Sequence, residues 1–203
     1  MTVHIYQDDL PSNLVFGDTV AIDTETMGLN PFRDRLCLVQ LSSGNGDAHL
    51  VKIASPMKPC PNLTSLIKDT NTTKLFHFAR FDISALHHSI CAVKGPIYCT
   101  KIASKLVRTY TEKHGLKDLC RELLQVEISK QQQSSDWGAK TLSNEQAEYA
   151  AGDVLHLHQI QTKLNMMLER EDRVEVAMQC FAFLPTRSQM DLAGFADMDI
   201  FCH

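Results

Sequence analysis

Apolar positions come in short runs early in the chain and at helical spacing later. Apolar runs lie within TVHIY, TVAID, LCLVQLS, HLVK and KLFHF, and the first are separated by the turn-like PSN, GLNPFRD and SSGNGD. They predict strands at about 3–6, 19–24, 36–42, 48–52 and 74–78. Further along, helices are expected near 61–69, 81–90, 99–109, 115–123, 144–169 and 171–183, the last ending before Pro185. Hairpin-spaced strands followed by a strand and helices indicate an α/β fold, a mixed sheet flanked by helices. One domain over residues 1–203 is expected, with 185–203 as an apolar tail. In that tail Leu192, Phe195, Met198, Ile200 and Phe201 are too apolar for a solvated end, so it packs back on the domain or meets a neighbouring chain.

The chain has 203 residues, of which 44% are hydrophobic, enough to bury one substantial core. A net charge of -4 argues against a protein that grips long nucleic acid through many phosphate contacts. Basic character is local: Lys101, Lys105 and Arg108 recur at helical spacing, followed by Lys113, His114, Lys117 and Arg121. These form either a phosphate-facing stripe, with Arg108 in it, or a solvated face opposite Ile102, Leu106 and Val107. Seven cysteines without a CxxC pair read as reduced thiols, and the nine histidines show no convincing zinc spacing. The N-terminal residues resemble no targeting segment and no apolar run is long enough for a membrane span, so cytoplasmic residence is expected.

Chemistry is concentrated in four acids and one tyrosine. Asp23 and Glu25 lie two apart in a predicted strand, so both carboxylates project from one face and can reach one metal. Asp82 falls where KLFHFARF gives way to DISALHH, a strand-to-helix junction; it is either a site acid or the cap of the helix that follows. Tyr149 and Asp153 are four apart in a helical stretch and share a face. Carboxylates suit hard cations such as Mg²⁺ or Mn²⁺, and a pair of such ions stabilises both the attacking and the leaving oxygen in phosphodiester hydrolysis.

The segments DTET, HFARFD and YAAGD, in that order within residues 19–160, resemble the three motifs of ribonuclease D-like 3′–5′ exonucleases of the DEDDy group. The stretches CTKIASKL, YTEKHGLKDLC, ISKQQQSSDW and LSNEQAEYAAGDV are similar to the same family, and FLPTR with the closing DIFCH resemble a short subgroup that removes very short oligoribonucleotides. The resemblance implies a ribonuclease H-like architecture and two divalent cations, Mg²⁺ or Mn²⁺. Asp23, Glu25 and Asp153 would hold the ion that activates water, Asp23 and Asp82 would engage the second, and Tyr149 would position the water. It also implies a metal-dependent 3′–5′ exoribonuclease acting on short single-stranded RNA, diribonucleotides above all, with DNA as a further substrate, and a homo-oligomer of octameric order. Lys130, Gln133 and Ser135 lie in a polar stretch that resembles the family's substrate-side loop, where Lys130 would contact a phosphate.

Leu29 follows the first acid pair, at the place where related enzymes wedge a leucine between two bases; the other reading is a loop leucine covering the core. His77 lies close to Asp82 in sequence, as a substrate contact or a core-edge histidine. Two rival functions remain: a general ribonuclease D-like exonuclease trimming RNA 3′ ends or degrading DNA, and a noncatalytic nucleic-acid-binding module.

Overall fold

A computed structural model of the chain describes residues 2–129, 131–132 and 134–203. Its centre is a sheet of six strands, β1 (Thr2–Gln7), β2 (Thr19–Thr26), β3 (Leu36–Ser42), β4 (Asp47–Lys52), β5 (Thr73–Phe76) and β6 (Ile97–Cys99), in the order β1-β4-β3-β2-β5-β6. The β2–β3 and β3–β4 pairs are antiparallel, whereas β1 runs parallel to β4, β2 to β5 and β5 to β6. All five expected strands are present. β6 was not anticipated, because three residues bounded by Pro96 and a helix carry too little periodicity to read as a strand.

Helices cover both faces. The main core gathers Val20, Ile22, Leu41, Leu75 and Phe76 from the sheet with Leu63, Ile83 and Leu86 from α1 (Pro61–Lys68) and α2 (Ala79–Ser89). A smaller cluster joins Leu38 and Leu50 to Trp137, Ala147 and Ala150 beneath α5 (Asn144–Leu155). Small alanines let α5 lie close to the strands, which places its Tyr149 and Asp153 near the sheet. After β6 come α3 (Thr100–Val107) and α4 (Leu116–Leu119), the latter continuing into a wide turn over Cys120–Leu124.

The helix expected over 115–123 is the short α4 with its wide turn, and two longer helices also differ from expectation. The stretch 144–169 breaks at His156 into α5 and α6 (Leu157–Arg170), since α5 follows the sheet while α6 packs on α3. The last helix, α7 (Val174–Met190), runs through Pro185 instead of ending before it. Ala177, Phe181, Leu184 and Ser188 keep one buried face along it, and Ser84 of α2 hydrogen-bonds Ser188 at 3.0 Å, so tertiary packing overrides the proline. The tail is tied back: Arg80 donates to the Asp191 carboxylate and to the Ala196 carbonyl, and Arg187 to the Phe195 and Ala196 carbonyls. Its side chains Phe195, Met198, Ile200 and Phe201 nevertheless remain exposed. Cys37, Cys60, Cys99 and Cys120 are buried free thiols, as expected of small apolar fillers. Among the described residues no helix is long and apolar enough to cross a membrane.

Candidate active site

Strands β2 and β5 run parallel, so the C-terminal part of β2 and the exit of β5 into α2 face the same end of the sheet. Asp23 and Glu25 project from β2, and a register irregularity follows between Glu25 and Thr26 before the chain turns into the Met27–Leu29 loop. Phe78 takes a left-handed conformation (φ 69°) as it leads β5 into α2, a costly geometry for a residue other than glycine. This tight entry puts Asp82 in the first turn of α2, with Phe78 at the cap position. The cap reading of Asp82 is therefore corrected. Its carboxylate, 2% exposed, accepts a 2.7 Å hydrogen bond from the Thr24 hydroxyl.

Carboxylate oxygens of Asp23, Glu25 and Asp153 all lie within 4.8 Å of one another, the spacing a shared cation needs. Gln40, opposite Asp23 on β3 and fully buried, donates to Asp23 at 3.2 Å. Burial, and then the charges of Asp23, Asp153 and Asp82, push Glu25 up to about 10. Asp82 and Asp153 are likewise raised by burial first and by Asp23 second, and burial raises Asp23. So many crowded carboxylates cannot all ionise without compensating positive charge. The donor set is all oxygen and anionic, and it fits a hard divalent cation. Tyr149 stands one turn from Asp153 on α5, and its hydroxyl is raised by burial and then by Asp153 and Glu25.

These five residues line one cleft of about 760 Å³. Leu29, His77 and Ser135 line it too. Leu29 is 83% exposed at the mouth, which corrects its reading as a core cover. His77 is hydrogen-bonded to Thr100 at 2.8 Å, and Ser135 accepts from Gln146 at 2.7 Å. Lys130 and Gln133 fall outside the described residues. Of the basic stripe, Lys101 and Lys117 reach the cleft, Lys101 with its ammonium 4.2 Å from the Phe78 ring centre. Arg108 does not. It is fully buried, donating to Ser104, to the Lys113 carbonyl and to Glu122, so its expected role as a substrate contact is replaced by an interior one. His114 is buried as well, against Ser104. Sequence reading missed Thr24, Gln40, Phe78 and Gln146; only for Gln146 did a local signal exist, the S-x-x-Q spacing of a helix cap.

Residues 8–169 match the model of a family described as 3′–5′ exonuclease. The chain belongs to the 3′–5′ exonuclease family. Among curated members it is 33% identical to ribonuclease D of Gluconacetobacter diazotrophicus over 156 residues, covering 77% of this chain and 39% of that protein. Ribonuclease D of Acidiphilium cryptum gives the same 33% identity and the same coverage. The chain thus spans well under half the length of these relatives. Solved structures of comparable length are similar throughout: NrnC of Brucella melitensis with bound Mg²⁺ has 53% identity and a TM-score of 0.95, with 100% of both chains covered. The same protein bound to pGG has 54% identity and a TM-score of 0.97, covering 100% of this chain and 99% of the other. Escherichia coli RNase D, at 24% identity, a TM-score of 0.75 and 85% and 45% of the two chains, shares the fold. Within this exonuclease family the sheet and its flanking helices are the ribonuclease H-like fold expected from the motifs.

Proposed function

We propose that the protein is a metal-dependent 3′–5′ exoribonuclease that degrades short oligoribonucleotides, diribonucleotides above all, to nucleoside 5′-monophosphates. The observation that carries this reading is the convergence of Asp23, Glu25 and Asp153 within 4.8 Å on the wall of an open cleft. Asp23, Glu25 and Asp153 would hold one divalent cation, and Asp23 with Asp82 a second. Bound there, Mg²⁺ or Mn²⁺ supplies charge stabilisation for the attacking and leaving oxygens. The Tyr149 hydroxyl, beside Asp153, orients the attacking water. Leu29 wedges at the mouth, and His77, Ser135, Lys101 and Lys117 face the bound strand.

The cleft volume of about 760 Å³ is that of a site for a small ligand, which supports short substrates. Similarity to a protein whose solved structure is bound to pGG points the same way. The exposed Phe195, Met198, Ile200 and Phe201 support a homo-oligomer, with octameric order implied by resemblance; sedimentation velocity tests the order.

Incubating the purified protein with a 5′-labelled diribonucleotide and with a longer labelled RNA, each with Mg²⁺, Mn²⁺ or chelator, tests the activity. The expected result is metal-dependent conversion of the dinucleotide that outpaces the long strand and is abolished by Asp153→Ala. Processive shortening of the long RNA with dinucleotides left behind would make the protein a general trimming enzyme. Retained activity in Asp153→Ala would overturn the site assignment.

A further inference from the structure

Gln146 is buried at the third position of α5 and spends every polar atom of its side chain. Its side-chain carbonyl oxygen accepts from the Ser143 backbone N–H at 2.9 Å, while the Gln146 backbone N–H donates to the Ser143 hydroxyl at 3.2 Å, closing a capping box. Its amide nitrogen turns the other way, donating to the Ser135 hydroxyl at 2.7 Å and to the Asp136 carbonyl at 3.1 Å. Ser135 lines the cleft, and Trp137, two residues on, sets its ring 5.9 Å from that of Tyr149. Tyr149 stands one turn beyond Gln146 on the same helix, so the contacts close a circuit from helix to loop and back to helix.

The far side of the loop is held as well. Arg35 donates to the Gly138 carbonyl and Lys52 to the Ala139 carbonyl. A Cβ at Gly138 would come 2.5 Å from the Met27 sulfur, so this segment abuts the loop that carries Leu29. Capping alone does not call for glutamine. Glutamate accepts the same N–H, and its charge suits a helix N-terminus better. Only the amide offers an acceptor to Ser143 together with two donors to the loop.

We propose that Gln146 is a positioning residue for the reaction: its one side chain caps the helix bearing Tyr149 and Asp153 and clamps Ser135–Trp137 against it, setting the cleft wall and the Tyr149 ring together. The kinetic part rests on the reading of Tyr149 and Ser135 as site residues. Gln146→Glu separates the two duties. The introduced carboxylate still accepts from the Ser143 N–H and from the Ser135 hydroxyl, and it meets the Asp136 carbonyl with no proton to give. Gln146→Met loses both duties.

Trp137 is the single tryptophan of the chain, so its emission reports the loop directly. Gln146→Glu is expected to keep the wild-type half-saturating Mg²⁺, to lose less Tm than Gln146→Met because the helix cap survives, to red-shift Trp137 emission with stronger acrylamide quenching, and to lower kcat on a 5′-phosphorylated diribonucleotide about tenfold. Gln146→Met should repeat the spectral and kinetic changes with the larger loss of Tm. Unchanged emission and quenching in both variants would overturn the clamp. Shifted emission with wild-type kcat, or a defect repaired by more substrate or Mg²⁺, would overturn its link to chemistry. A wild type with no metal-dependent turnover would instead overturn the proposed function, and the emission shift would then decide the clamp by itself.

Discussion

The Thr24 hydroxyl donates a 2.7 Å hydrogen bond to Asp82, joining β2 to α2 across 58 positions of sequence. Thr24 sits between Asp23 and Glu25, so the strand that presents two of the site acids also orients a third. A hydroxyl can hold a carboxylate in place without neutralising it, leaving the remaining oxygen for a cation.

Thr24→Val keeps the shape and removes the donor. The expected cost is about 1–3 kcal/mol in urea denaturation with Mg²⁺ present. Half-saturating Mg²⁺ in the nuclease assay should rise roughly 10–100-fold. Thr24→Ser should restore both, and a valine variant with unchanged Mg²⁺ response would remove Thr24 from the site's support.

Without metal, the acid cluster makes stability depend on pH. Burial and neighbouring acids raise Glu25 from 4.5 to about 10, so between those limits the folded chain holds a proton that the unfolded chain has released. Metal-free stability should therefore fall as pH rises through this window, with no such loss below its lower limit. His49 and His158, lowered by burial, act in the opposite direction by losing stability on acidification. Comparison with Glu25→Gln cancels their contribution. In chelator, Tm against pH should be flatter for this variant and higher than wild type at neutral pH; Mg²⁺ should raise the wild-type Tm and leave the variant nearly unmoved.

Arg108 belongs to the interior, between Ser104, the Lys113 carbonyl and Glu122. Lysine cannot reproduce the fork that reaches these partners. Arg108→Lys should cost about 2–3 kcal/mol in urea denaturation while leaving KM for a diribonucleotide unchanged. A raised KM with full stability would return Arg108 to the substrate contacts.

Leu29 behaves oppositely. At 83% exposure it contributes little to the core, so Leu29→Ala should hold stability within about 0.5 kcal/mol of wild type. Loss of a wedging contact worth about 1–2 kcal/mol would appear as a roughly tenfold rise in KM for the diribonucleotide. Unchanged KM would leave the wedge without support.

What the sequence determined by itself was whatever follows from local geometry. A period of two puts Asp23 and Glu25 on one face of β2, and a spacing of four stacks Tyr149 over Asp153 on α5. Short apolar runs between turn residues located β1 to β5, and the ordered motifs carried the family. Local spacing says which side chains share a face, and it is silent about what that face meets. Only the parallel pairing of β2 with β5 brings Asp82 beside Thr24, and only packing of α3 turns Arg108 inward while Lys101, on the same helix, reaches the cleft. Packing on α2 carries α7 past Pro185, overriding a local penalty. For Gln146 the S-x-x-Q spacing carried a cap signal that the sequence reading passed over, whereas its grip on Ser135 and Asp136 exists only once the loop has folded back, because those donors need partners that the helix itself does not supply.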